Sequence, residues 1–170
     1  MNNHDKNTYV IKEIQKALLS LMKKKALKDI SITEIVTKAQ VGRASFYRNF
    51  KSKEDVLKQY DLSLIKAWGN QSESDPESNI HNVFGSLFDH YQNHRDFYLL
   101  LLKNNLTETI LATILEVAGP KNEMSNSEAY GKSFIAYGIY GWVIEWMSRG
   151  MQESAQEINV LLDNQKKNEE

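Results

Sequence analysis

The sequence predicts an all-α chain in two parts, a compact head of three helices followed by a larger helical body. Three observations carry that expectation. Apolar residues recur at steps of three and four through most of the chain, and strand-like alternation is hard to find. Only two prolines, Pro76 and Pro120, interrupt the 170 residues. Charge is unevenly spread: residues 1–60 hold 13 Lys+Arg against 6 Asp+Glu, a balance of +7, and residues 61–170 hold 8 against 16, a balance of −8.

Residues 1–7 are polar and read as loose. A first helix is expected from about Thr8 to Lys25, with Ile11, Ile14, Leu18 and Leu21 as its apolar stripe. Lys23, Lys24 and Lys25 suit a helix C-terminus, where the dipole favours cations; direct phosphate contact is the competing reading. Leu27 and Ile30 anchor the connection. Ser31 then caps a short helix, and Glu34 three residues later completes a capping box. Ile32, Ile35, Val36 and Ala39 form its stripe, and Gln40, Val41 and Gly42 are too few for anything but a turn. Gly42 is an acceptable N-cap for the next helix, about Arg43 to Asn49. Phe46, Phe50 and Val41 turn inward, leaving Arg43, Ala44, Ser45, Tyr47, Arg48 and Asn49 outside. Such an outer face suits a DNA major groove, because these side chains can donate to base edges and phosphates. Ser52 caps a further helix to about Trp68, with Glu54 and Asp55 in its first turn. Lys53 opposes the dipole there, and a phosphate lying nearby would account for it.

The head therefore spans 1–57 and the body 58–170. Gly69–Asn79 is polar and rich in helix breakers, the best linker candidate. Helices follow at about His81–Asn93, Arg95–Lys103, Leu106–Ala118, Glu128–Arg149 and from Ser154 to near residue 165. The first of these places Ile80, Val83, Phe84, Leu87, Phe88 and Tyr91 on one wide face. Gly119-Pro120 and Gly150 act as stops, and the tail NQKKNEE is expected to fray. Tyr137, Tyr140, Trp142, Trp146 and Met147 go around much of the long helix 128–149. That is more apolar surface than a thin body can hide, so the last two helices, about 128–149 and 154–165, are expected to dock on a twofold copy as a four-helix bundle.

Several function classes are excluded. No cysteine is present, so there is no disulfide, thiolate site or cysteine nucleophile. MNNHDKNTYV has no apolar stretch of the signal-peptide kind, and the longest apolar run, Phe97–Leu102, is far too short for a membrane span. No membrane partner and a cytoplasmic location are expected. His90 and His94 have metal-ligand spacing but no accompanying His-Glu-x-x-His pattern, so no metal is expected. There is no nucleophile elbow, Gly-rich phosphate loop or dinucleotide fingerprint, and Glu153 and Glu157 read as solvated. Neither catalysis nor a cofactor is expected.

Residues 31–57, SITEIVTKAQVGRASFYRNFKSKEDVL, resemble the helix-turn-helix of the TetR family of bacterial transcriptional regulators. Ile32, Ile35, Ala39, Val41, Ser45, Phe46, Tyr47, Phe50, Ser52, Lys53, Glu54 and Leu57 stand at matching places without a gap. Gln40 replaces the usual turn glycine, Gly42 the usual serine, and Ala44 and Asn49 the commoner glycine and histidine. The resemblance implies a three-helix DNA-binding head on a ligand-sensing and dimerisation body, and a homodimer formed through the last two helices. It also implies repression at a palindromic double-stranded DNA operator, whose two recognition helices sit about 34–36 Å apart. Arg43 is then the expected base contact, with Ala44 and Ser45 near base edges and Thr33, Tyr47, Asn49 and Lys53 on phosphates. The family's body senses a small molecule, here expected to be apolar or aromatic. His90, Tyr91, Asn104, Asn105, Tyr130, Tyr137 and Trp142, polar or amphipathic groups set among apolar faces, are the candidate ligand residues. The rival reading is a helical ligand-binding or protein-interaction module, a protein-partnered activator included, whose DNA-binding head is weakened by Gln40 and Gly42.

Overall fold

The computed structural model describes residues 3–73 and 80–167. Every regular element among the described residues is helical. They are α1 (Asn3–Met22), α2 (Ile32–Ala39), α3 (Arg43–Asn49), α4 (Lys53–Glu73), α5 (Ile80–Asn93), α6 (Arg95–Lys103), α7 (Glu108–Ala118), α8 (Asn126–Ser148) and α9 (Ala155–Lys167), with one 3-10 turn at Leu27–Asp29. Two compact units result, Met1–Asp61 and Leu62–Glu170, divided within α4. None of the described helices is long and apolar enough to cross a membrane.

In the first unit α1 packs on α2 and α3, and α2 on α3. Ile14, Leu18, Ile35 and Phe46 are fully buried, and Phe50, Val56 and Leu57 nearly so. Helix α1 begins earlier than expected because Asp5 lies in its first turn, where the dipole favours an acid. It also ends earlier: the Lys24 and Lys25 amides both turn back to the Leu21 carbonyl, at 2.9 and 3.2 Å. Lys25 then pairs with Glu34 of α2. The capping box read from the sequence is present, since the Glu34 amide donates to Ser31 Oγ and the Ser31 amide to Glu34 Oε2. Lys25 and, after it, Ser31 hold the Glu34 carboxyl down at about 2.

Helix α4 runs on to Glu73, so the first part of the expected linker, Gly69–Glu73, is helical. One glycine costs only about 1 kcal/mol in a helix, too little to end it unaided. The rest of that linker, 74–79, lies outside the described residues. So do the side chains of Ile80, Val83 and Leu162 and the tail beyond Lys167.

In the second unit α5 packs on α9, α7 on α8, and α6 on both α5 and α8. Leu87, Phe88, Tyr91, Tyr98, Leu101, Ile110, Val143, Trp146 and Met147 form its core. At Gly85 the α9 side chain Asn159 crowds α5: a Cβ there would lie 2.4 Å from Asn159 Nδ2. Two further capping boxes open α8 and α9, Ser125 with Glu128 and Ser154 with Glu157. The first starts α8 at Asn126, ahead of the expected Glu128. Gly150, at φ 91°, ends α8 as its position after Arg149 suggested.

Candidate nucleic-acid interface

The turn and the two short helices it joins position one outward face. Gln40 closes α2 in the left-handed region, at φ 54° and ψ 41°. The Val41 amide returns to the Val36 carbonyl at 3.0 Å, the Schellman arrangement in which glycine is usual. Gly42 caps α3 through its backbone alone. Phe46 and Phe50 then fasten α3 to the core with their rings 5.8 Å apart, and Tyr47 meets the Phe46 edge at 5.4 Å. With those two phenylalanines inside, Arg43, Ala44, Tyr47 and Arg48 are exposed and Ser45 and Asn49 half-buried. Thr33 is exposed on the first turn of α2.

Several of these side chains are held. The Arg43 guanidinium carbon lies 5.7 Å from the Tyr47 ring centroid, and Arg43 donates weakly to the Tyr47 hydroxyl at 3.4 Å. Asn49 Nδ2 donates to the Ser45 carbonyl at 2.8 Å, so its amide also stiffens its own helix. Lys53, expected on a phosphate, has partners within the protein. Its ammonium donates to the carbonyls of Leu27, Lys28 and Ile30 at 2.6, 3.2 and 2.9 Å. An ammonium has three donors, and these carbonyls take all three. Lys53 is thus a tie between the start of α4 and the 3-10 turn, and that contact explains a cation at a helix N-terminus without a phosphate. Sequence reasoning missed a neighbouring concavity of about 500 Å3, lined by Lys6, Asn7 and Val10 of α1 and Ser45, Arg48 and Asn49 of α3. Its only sequence signal was Lys6 in the basic first third.

The seven candidate ligand residues in the body lie in different surroundings. His90 and Tyr91 are buried, with His90 Nε2 3.1 Å from the Tyr98 hydroxyl and the Tyr91 and Tyr98 rings 4.5 Å apart. Burial, then the neighbouring His94, pushes His90 down to about 4, so it is neutral at pH 7. Asn104 Nδ2 donates to the Leu100 carbonyl and Asn105 forms a turn at φ 55°, which makes both parts of the α6 terminus. Tyr130 and Tyr137 are 71% and 54% exposed on α8. Trp142 lines a concavity of about 240 Å3 shared with Phe84 and Phe88 of α5 and Phe134, Ile135, Gly138 and Ile139 of α8. No group of three or more His, Asp or Glu among the described residues could hold a metal ion.

The family description "Bacterial regulatory proteins, tetR family" matches residues 14–60, and "Transcriptional regulator C-terminal region" matches 78–165. A Bacillus subtilis (strain 168) protein, the uncharacterized HTH-type transcriptional regulator YerO, is 29% identical over 101 residues, covering 55% of this chain and 35% of that one. The chain thus spans about a third of that curated relative's length. Among solved structures, Lin0861 from Listeria innocua superposes with a TM-score of 0.77 at 14% identity, covering 100% of this chain and 96% of the other. A Clostridium perfringens protein, named provisionally as a fatty acid metabolism regulator, gives 0.53 at 17% identity over 88% and 94%. At such identities the two structures show the fold alone. The family matches to head and body together decide the assignment: the chain belongs to the TetR family of bacterial transcriptional regulators, which are not enzymes.

Proposed function

We propose that the chain binds double-stranded DNA as a homodimer at a near-palindromic operator, and that it is a repressor released by a small apolar or aromatic effector. The outward face of α3 carries this reading. In a unit with a surplus of cations, Phe46 and Phe50 are inside while Arg43, Ala44, Tyr47 and Arg48 face solvent, the division a major-groove helix requires. Arg43 is the base contact, Ala44 and Ser45 approach base edges, and Thr33, Tyr47 and Asn49 meet phosphates. Lys53 ties the start of α4 to the carbonyls of Leu27, Lys28 and Ile30.

Exposed apolar surface supports the dimer. Phe134 on α8 is 83% exposed, and Val160 and Leu161 on α9 are 54% and 45% exposed. Gly131, Gly138 and Gly141 leave open space beside Phe134 along α8. A patch of this kind suits a protein interface. The 240 Å3 concavity against α5 is nearly all apolar in lining residues and is small for a ligand site, which favours a compact effector. A cytoplasmic location goes with a DNA partner.

The turn supports the second reading, a weakened head on a ligand-binding or protein-partnered body. Gln40 holds a left-handed conformation and Gly42 lacks a side-chain cap. Mobility shift with the chain's own upstream duplex, paired with sedimentation of the free protein, separates the two. The first reading expects a dimer on one duplex. A chain that leaves every duplex unshifted at low salt and concentrations of about 10 µM, where non-specific binding already registers, would favour the second.

A further inference from the structure

We propose that the concavity between the first turns of α1 and the outer side of α3 is a seat for the DNA backbone, with Lys6 and Arg48 as paired phosphodiester contacts. The proposal rests on the reading that α3 enters a major groove. The concavity measures about 500 Å3 and is lined by Lys6, Asn7, Val10, Ser45, Arg48 and Asn49. Two helices each contribute one cation to it, and among the described residues no carboxylate lines it. Lys6 and Arg48 are exposed, so neither charge is spent on the core. The amides of Asn7 and Asn49 and the hydroxyl of Ser45 supply the neutral polar groups that protein–DNA contacts place on phosphate oxygens.

Position identifies the ligand. A helix lying in the major groove has a sugar–phosphate strand along each side, because the groove is only about 12 Å wide. Ser45, Arg48 and Asn49 belong to α3 itself, so a concavity sharing them is where one strand passes once α3 is seated. It is an open trough far larger than a single anion needs, which suits a strand better than an isolated ion. The first turns of α1 thereby become part of the operator interface. They carry affinity and salt dependence but no base preference.

The test is the dependence of duplex affinity on salt, measured for the full chain and for Lys6→Ala, Arg48→Ala, the double variant, Lys6→Arg and Arg43→Ala. Circular dichroism verifies that each is folded. Loss of one phosphate contact should make the slope of log K on log salt shallower by about one unit. Affinity should fall roughly threefold or more per cation near physiological salt, by the same factor on cognate and scrambled duplexes, and Lys6→Arg should keep the wild-type slope. A double variant with unchanged slope and affinity, while Arg43→Ala still loses base preference, would overturn the seat and leave the helix-turn-helix reading standing. A wild-type chain that binds no duplex at low salt sinks both. Adding inorganic phosphate at constant ionic strength should change nothing. Weakening that is specific to phosphate and absent from the double variant would reassign the trough to a free anion and overturn the duplex proposal.

Discussion

Arg43 and Tyr47 stand one helical turn apart on α3, with the guanidinium carbon 5.7 Å from the tyrosine ring centroid and both side chains open to solvent. The contact limits where the guanidinium can go before any partner arrives. Arginine reads guanine through a rigid fork, so a pre-oriented fork loses less entropy on docking. Tyr47→Phe keeps the ring and should preserve base preference, with at most a few-fold loss from a missing phosphate hydrogen bond. Tyr47→Ala should broaden the selected sequence at the Arg43 position while non-specific binding falls little. Selection from random duplexes measures both.

Lys53 gives a prediction about stability rather than DNA. Its three hydrogen bonds go to carbonyls of the 3-10 turn and the residue after it. Hydrogen bonds to charged groups contribute about 1.5–3 kcal/mol each when buried, and less at this half-exposed site. Lys53→Met should lower the stability of the head by about 1–2 kcal/mol. The salt slope of the folded variant should stay near wild type. A stable variant with a shallower slope would restore the phosphate role expected from the sequence.

The turn can be improved. Gln40 occupies the left-handed region, where a side chain costs on the order of 1 kcal/mol relative to glycine. Gln40→Gly should therefore raise head stability by about that much. At Gly42 a Cβ would meet nothing nearer than Ser45 Oγ at 4.0 Å, and the backbone already has N-cap angles. Gly42→Ser should add a few tenths of a kcal/mol. Thermal unfolding of the single and double variants measures both gains.

His90 sets the acid behaviour of the body. Its folded value lies near 4 against an ordinary 6.5. The unfolded chain therefore takes up this proton first as pH falls, so stability declines between about pH 6.5 and 4 and the loss is complete below that. His94 is lowered as well, by burial, and adds in the same direction. The capping carboxylates Glu34, Glu128 and Glu157 are all lowered from 4.5, so their contribution is present above about pH 4.5 and is lost as pH falls from there. Trp68, Trp142 and Trp146 are the chain's three tryptophans and all lie in the second unit. Urea midpoints read by their fluorescence should drop between pH 7 and 4.5, and His90→Gln should flatten that drop.

Phe134 tests the dimer. At 83% exposure it contributes little to the protomer's own core. Phe134→Glu should leave protomer stability within about 0.5 kcal/mol, as surface changes usually do, while shifting sedimentation from dimer to monomer and weakening operator binding.

Much of this anatomy was legible in the sequence because local chemistry set it. Ser31 and Glu34 marked the start of α2, and the bounds of α3 and α6 followed from Phe46, Phe50 and the apolar run Phe97–Leu102. The same Ser-x-x-Glu pattern at Ser125 and Ser154 also marks its helices, although only the first of the three was read as a box. What escaped depended on distant pairings. Nothing local reveals that Lys53 reaches the carbonyl of Leu27, that Lys25 finds Glu34, or that Lys6 and Arg48 line one trough. Polar residues on apolar helices are harder to place from sequence. His90 and Tyr91 are sealed against Tyr98, whereas Tyr130 and Tyr137 face outward, and helical period alone cannot tell a sealed cluster from an open cavity.

The central claim is that α3 reads base pairs through its outward side. Selection from random duplexes with the wild-type chain and with Arg43→Ala tests it most directly. The account predicts a two-part near-palindrome for the wild type, and a loss of about 1–3 kcal/mol with relaxed preference at one symmetric base pair for the variant. Identical selected sequences and affinities for the two proteins would contradict it.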